Sequence, residues 1–482
     1  MKKICLLLVA LIFALSLAGC EEAQEKKERD TGSLAMYTEN CEITKGMLQY
    51  HFNTKYLAFV NANSEALESI GLDPSAPLSE QDYSANKSWR DYFLDDAKKD
   101  LENYLIVEEL ARKDKIKLSK SEKAQVEKDF SIIKEFAEEE GITTEKYIKK
   151  TYGSIVEVDD VKRILELQRL GSKCFKKYSE KIEVTDEALE KYYSDRKKSF
   201  SKVDYLAFET VFSPTDSAQK LNAGAAANRF AEKKTPKAFK SYIEEYITDY
   251  YIDKDGSNYD AAEVQEAIKL ALENCTYKDV SYNSSDSGLI WAFDEEREAG
   301  DTKIVEDSEN GIYRIYYLLT PMHREEYNSV DIRQIFFSAD AFGTKKEAKK
   351  AADECLERLR TEDFSASAFE IEAKENSSDD VTKNYGGLQE KLFKSSFTDE
   401  SADIRDWIFS EDRAGGDVRL IENDSGWFIV YIEKIGEPAW RVQAREGYLN
   451  SKFSRYVSDE GDNYVINFNS DVIDGIEQAE VE

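Results

Sequence analysis

Imidazole and thiol groups are the scarce chemistry of this sequence, and their positions bound what it can catalyse. The 2 histidines are His51 and His323. His51 sits in a helical stretch and His323 just past a strand, so both are read as incidental. Neither an imidazole zinc site nor a His-relayed nucleophile is expected. Beyond the N-terminal segment the thiols are Cys41, Cys174, Cys275 and Cys355. They are widely spaced with no C-x-x-C pair, which argues against metal and redox motifs and leaves their pairing open. Cys355 falls on the apolar stripe of a helix and reads as a small core residue. Serine and carboxylates are abundant, but no nucleophile motif stands among them. Paired acids in so acidic a chain carry no glycosidase signal. No cofactor and no metal is expected.

The chain has 482 residues with 97 Asp+Glu against 66 Lys+Arg, a net charge of −31. Nucleic acid as a partner is disfavoured, since that binding rests on Lys and Arg neutralising phosphates. A polybasic membrane contact is disfavoured for the same reason. A hydrophobic content of 41%, with 12% aromatics, is enough for a buried core. The length suggests about two to four domains.

Lys2 and Lys3 precede an apolar run from Ile4 to Leu17, followed by Ala18-Gly19-Cys20. The run has the length of a secretory segment and is short for a membrane span. It resembles a bacterial lipoprotein signal. That resemblance implies cleavage before Cys20 and acylation of its thiol, with residues 1–20 as signal peptide and Cys20 as the lipidation site. Each buried acyl CH₂ contributes about 0.8 kcal/mol, so several chains would hold the protein on the bilayer at the extracytoplasmic face of the cell membrane. Residues 21–40 are polar and aperiodic and are expected to be a flexible tether.

These groups need elements to position them. From about 41 to 200 the periodicity is helical: Leu94, Ala97, Leu101 and Leu105 recur at helical spacing, as do Val126, Phe130, Ile133 and Ala137. Ser119 and Glu122 form a capping-box pattern, and Thr185-Asp186-Glu187 opens another helix. Val203 to Phe212 then reads as a strand, a helical stretch runs from about 216 to 275, and a strand pair leads to 311–317. The same order recurs at once. Ile332 to Phe337 is a strand, and Thr344 with Glu347 caps a helix bearing Ala348, Ala352, Cys355 and Leu359. Gly386-Gly387-Leu388 follows, and Gly426 to Ile432 closes the unit as a β-rich strand. This is an approximate internal duplication. Residues 438–457 are helical again, and Tyr464-Val465-Ile466 is expected as a short strand.

Val184 to Tyr193, Ile332 to Phe337, the Ser378-Asp379-Asp380…Gly386-Gly387-Leu388 loop and Gly426-Trp427-Phe428-Ile429-Val430 together resemble the parvulin-type peptidyl-prolyl isomerase family, and within it the PrsA-like and SurA-like foldases. The resemblance implies an α+β, multidomain fold. A split all-helical chaperone domain (41–200 plus 438–475) would receive two inserted parvulin-like domains, a degenerate one at 202–323 and a second at 328–437.

The family's chemistry is rotation about X–Pro bonds, against a barrier of about 18–20 kcal/mol. By resemblance, Gln334 and Phe428 stand where two histidines are usual. Asp380 stands at the Cys/Asp position, Leu388 at the pocket Leu, and Ile404 where a pocket Phe is usual. In the first unit Tyr313 takes the second histidine position, and Thr210 or Glu209 lies near the first. Gln334, Asp380, Leu388, Ile404 and Phe428 are therefore the candidate peptide-binding residues, with Asp380 the catalytic candidate. Gln334 and Phe428 are also read as core residues paired across the central sheet. The expected function is a membrane-anchored foldase or chaperone for unfolded or nascent exported proteins, with weak or no isomerase activity. The alternatives are an active isomerase and a structural surface lipoprotein. Oligomeric state is left open.

Overall fold

The computed structural model describes residues 32–64, 66–255, 260–410 and 412–479. The signal segment, Cys20 and the tether through residue 31 lie outside the described residues. Among the described residues no helix is long and apolar enough to cross a membrane. The chain divides into two compact units, one reaching Glu183 and resuming at Leu449, the other running from Val184 to Tyr448.

The first unit is mainly helical. It contains β1 (Leu34–Tyr37), β2 (Glu42–Thr44), α1 (Lys45–Ala62), β3 (Asp82–Ser84), β4 (Lys87–Ser88), α2 (Trp89–Lys113), α3 (Lys120–Glu139), α4 (Thr144–Tyr152) and α5 (Val158–Ser179). Successive residues Gly46 to Asn53 of α1 are all buried, so this helix is covered on every side rather than along one stripe. The predicted Ser119–Glu122 box is present in full at the start of α3, and Ser88–Asp91 does the same for α2. One core joins Phe52, Tyr56, Phe93, Leu101, Phe130, Ile148 and Ile164. His51 belongs to this packing. It is buried and meets Asp100 at 3.2 Å, and Asp100 also pairs with Lys55 at 2.6 Å.

The second unit opens with α6 (Asp186–Ser194) and α7 (Lys197–Phe200), then repeats one layout. The first module has β5 (Ser201–Val211), α8 (Ser217–Ala231), α9 (Pro236–Asp255), α10 (Ala261–Asn274), β6 (Thr276–Ser281), α11 (Ser287–Ala292), β7 (Thr302–Asp307) and β8 (Ile312–Arg324). The second has β9 (Asn328–Ser338), α12 (Lys345–Thr361), α13 (Ala366–Asn376), β10 (Leu388–Leu392), α14 (Ala402–Ile408), β11 (Val418–Asn423) and β12 (Gly426–Pro438). Each builds a 4-stranded antiparallel sheet, in the order β6-β5-β8-β7 and β10-β9-β12-β11.

The duplication holds residue by residue. Thr210 pairs with Tyr313 and Glu209 with Arg314, as Phe337 pairs with Trp427 and Phe336 with Phe428. One face of each sheet packs on the short helix α11 or α14 through matching positions. These are Val203, Tyr205, Tyr316 and Leu318 in the first module and Val330, Ile332, Val430 and Ile432 in the second. The other face packs on the longer helices, where Cys355 is buried as expected of a small core residue. The predicted Thr344–Glu347 box is half made: the Thr344 hydroxyl accepts the Glu347 N–H.

The long helix α15 (Ala439–Gly461) begins in the second unit, where Trp440 and Ala444 bury against Leu189 of α6. Residues 184–200 and 438–448, expected with the chaperone helices, thus cluster with the sheets. After α15 the chain forms β13 (Asn467–Phe468) and α16 (Ser470–Ile473). Two expectations fail here. The short strand lies at Asn467–Phe468, not at Tyr464–Ile466. Its partner is β1, inside the segment expected to be tether. Leu34, Ala35 and Met36 are buried, so their apolar surface fixes a segment whose flanks are polar.

Candidate functional site

Of the candidate residues, Gln334, Phe428 and Ile404 gather at the β9–β12 pair. Paired residues in an antiparallel sheet share a face, and alternate residues return to it. Gln334 pairs with Val430 and Phe336 with Phe428, so Gln334, Phe336, Phe428 and Val430 share one face. Phe336 and Phe428 are half-buried and stacked, with centroids 4.3 Å apart and planes at 17°. Ile404 of α14 is buried in the same layer with Ile332, Val430 and Ile432, and Phe428 packs at its margin. Gln334 and Phe428 are therefore diagonal neighbours, not a direct pair.

The loop after α13 brings the acid, and it is Asp379 rather than Asp380. Asp379 Oδ2 accepts the Gln334 carboxamide N–H at 3.1 Å and the Thr382 hydroxyl at 2.5 Å. Its Oδ1 accepts the backbone N–H groups of Val381 and Thr382 at 3.0 and 3.4 Å. A carboxylate has about four acceptor sites, so these bonds occupy it. Asp380 is exposed and pairs with Lys383. Ser377 ties the loop to the sheet by accepting the Phe336 N–H at 3.1 Å. The adjacent acids Asp379 and Asp380 are indistinguishable by composition. The usable signal is an Asx turn, in which an Asp oxygen accepts an N–H two residues on.

Gly386 and Gly387 close the loop in the left-handed region, at φ +66° and +71°. A Cβ on Gly387 would lie 2.2 Å from the Gln334 carbonyl oxygen, so glycine is required sterically as well as conformationally. Leu388 pairs with Arg333, which puts it on the face opposite Gln334. The expected pocket thus keeps Ile404 and Phe428, gains Phe336, and does not gather Leu388 with them.

The register also corrects the first module. Arg314, not Tyr313, occupies the place of Phe428, and Ala207, not Thr210 or Glu209, that of Gln334. Arg314 donates to Glu209 at 2.6 Å, so an ion pair replaces the aromatic stack. Tyr313 leans on Phe212, and Thr210 is buried with its hydroxyl donating to the Ala223 carbonyl.

The face of the second module can receive an apolar ring against Phe336 and Phe428, with an amide beside it. A carboxamide and two phenyl rings do not exchange protons near neutral pH, and the nearby carboxylate is committed to four bonds. An apolar groove of about 430 Å³ also lies in the first unit, lined by Leu110, Ile116, Cys174, Tyr178, Phe453 and Tyr456. Charged Asp114, Lys177, Glu180 and Lys181 complete its lining.

Residues 315–435 match the family described as PPIC-type PPIASE domain. That span begins within β8 and ends in β12, so it covers the Gln334–Phe428 face. Solved structures that resemble the chain include a peptidylprolyl isomerase (PrsA) from Bacillus anthracis, at 13% identity and a TM-score of 0.19, covering 52% of this chain and 95% of that one. No curated protein sequence matches the chain.

Proposed function

Because residues 315–435 belong to the PPIC-type peptidyl-prolyl isomerase domain family, the parvulins, we propose that the chain is a foldase that binds unfolded exported proteins with weak or no isomerase activity. The observation that carries this reading is the Gln334–Phe428 face. It keeps an apolar surface for a proline ring but holds no group free to move a proton, because Asp379 is saturated. Rate enhancement by general acid–base groups typically amounts to about 10²–10⁴-fold, which this face forgoes. Client binding would instead rest on the aromatic stack and on the groove at Phe453 and Tyr456, covering surface that otherwise drives aggregation.

The anchoring part of the proposal rests on Leu17-Ala18-Gly19-Cys20. Acyl chains on Cys20 would hold the protein at the extracytoplasmic face of a bacterial membrane. The acidic composition then keeps a client-loaded complex soluble.

The test is aggregation of an unrelated unfolded protein in the presence of the purified chain. Suppression at near-stoichiometric ratios is expected. No suppression, together with no isomerase activity, would leave an inert surface lipoprotein as the better reading.

A further inference from the structure

We propose that the first module holds a divalent transition cation at Asp204, Asp279 and His323. One ligand atom from each lies within 4.8 Å of the other two. That is close to the span across one ion with bonds of about 2.0–2.2 Å. All three residues are half-buried.

Three neighbouring strands deliver them: Asp279 from β6, Asp204 from β5 and His323 from β8. Asp204 stands where β5 shifts register against both neighbours, and such bulges re-aim a side chain. Asp279 has φ +51°, a conformation Asp tolerates better than most residues.

The imidazole is held as a metal ligand needs it. His323 Nδ1 lies 3.0 Å from the Pro321 carbonyl oxygen. A carbonyl only accepts, so Nδ1 carries a proton, and in the neutral ring Nε2 is then the nitrogen with the lone pair. Ligating histidines are oriented in this way by their other nitrogen. Asp204 Oδ1 accepts the Asp279 N–H and Oδ2 the Thr320 hydroxyl, both at 2.8 Å. Each oxygen retains a second lone pair for an ion.

The internal duplication supplies an independent comparison. By register, Asp204, Asp279 and His323 correspond to Asp331, Lys391 and Glu437. Asp331 makes the same bond as Asp204, accepting the Lys391 N–H at 2.6 Å, and Lys391 repeats the left-handed backbone at φ +54°. That bond is therefore the structural duty of the shared acid. The other two positions differ in charge. In the second module Lys391 pairs with Glu446 at 2.7 Å, and Glu437 is met by Arg445 and Arg441. The first module instead sets a second carboxylate and an imidazole beside the acid. Its nearby cation is Lys394, 4.0 Å from Asp279, at the outer limit of an ion pair. A pair at that distance is weak, so a three-ligand ion displaces it. One imidazole with two carboxylates suits zinc or manganese better than calcium or magnesium.

The test is equilibrium dialysis of the full purified chain against Zn²⁺, with excess Mg²⁺ occupying weak sites on the acidic surface. One Zn²⁺ per chain is expected. Asp279→Asn, which keeps a residue tolerant of positive φ, and His323→Gln should each weaken binding on the order of tenfold or more. Zn²⁺ should raise the thermal midpoint of the unmodified chain and of neither variant, while His51→Gln binds as the unmodified chain does. No Zn²⁺ bound above the Mg²⁺ background would overturn the proposal, as would equal binding by the unmodified chain and by whichever of the two variants folds.

Discussion

Phe428 stacks on Phe336 across the β9–β12 pair, and the corresponding pair in the first module, Arg314 and Glu209, is an ion pair. One sheet position has thus become aromatic in one module and charged in the other on an unchanged backbone register. Aromatic pairs contribute about 0.5–1.5 kcal/mol beyond the area they bury, whereas an exposed ion pair contributes about 0–1 kcal/mol. The second module therefore keeps a surface able to take up apolar side chains, and the first does not at this place.

Asp379 and Asp380 are neighbours with different fates, and their alanine variants should separate cleanly. Asp379→Ala strands the Gln334 carboxamide, the Thr382 hydroxyl and two backbone N–H groups. A loss of about 1–3 kcal/mol is expected in denaturant unfolding. Asp380→Ala should stay within about 0.5 kcal/mol of the unmodified protein. Equal losses would show that Asp379 is not the acid holding the loop.

Two glycines with similar backbone angles should respond unequally to alanine. Gly141 has φ +68° and nothing near its would-be Cβ, whereas Gly387 has φ +71° and the Gln334 carbonyl in the way. Gly141→Ala should cost about 1–2 kcal/mol from conformation alone. Gly387→Ala adds a clash and should cost about 2–4 kcal/mol, read from the denaturation midpoint.

The His51–Asp100–Lys55 trio in the first unit gives an acid-range signature. Burial pushes the Asp100 carboxyl upward, but hydrogen bonds from His51 and Lys55 outweigh it and hold the group at about 2, below the ordinary 3.8. A carboxyl depressed on folding adds stability above its ordinary value and loses it as pH falls toward its folded value. The extra stability of the unmodified protein over Asp100→Asn should therefore fade between pH 3.8 and about 2. With partial solvent screening its size is about 1 kcal/mol. A difference that holds constant through that range would remove the ion-pair explanation.

Cys20→Ser should move the protein from the membrane fraction to the soluble fraction of a cell that processes lipoproteins. On the proposed reading the acyl chains on Cys20 are the anchor, and this variant lacks the thiol that would carry them. Retention in the membrane after this change would assign the attachment to another part of the chain.

Local signals in the sequence carried far, and their reach explains where they stopped. The Ser119–Glu122 box, the Thr185 cap and the strand from Ile332 to Phe337 are signalled by neighbours in the chain, and all appear in the structure. β1 was not legible because its apolar run, Leu34 to Met36, is short and set among polar residues, and one of its two partners, Asn467–Phe468, lies at the other end of the sequence. Spacing points to Asp380 and not to Asp379 because the choice depends on which way a loop turns. Spacing points to Tyr313 for the place that Arg314 fills by register. A slip of one residue moves a side chain to the other face, and motif spacing alone does not resolve it. The Asp204–Asp279–His323 cluster was hidden for the same reason, its members being drawn from three strands.

The central claim is that this parvulin-type face binds without turning over. The most direct measurement is cis–trans isomerisation of a proline-containing tetrapeptide by the purified protein, beside a variant carrying Gln334→His and Phe428→His. The unmodified protein is expected to leave the uncatalysed rate, tens of seconds or longer at about 25 °C, nearly unchanged, and the double variant to exceed it. A substantial acceleration by the unmodified protein would contradict the account.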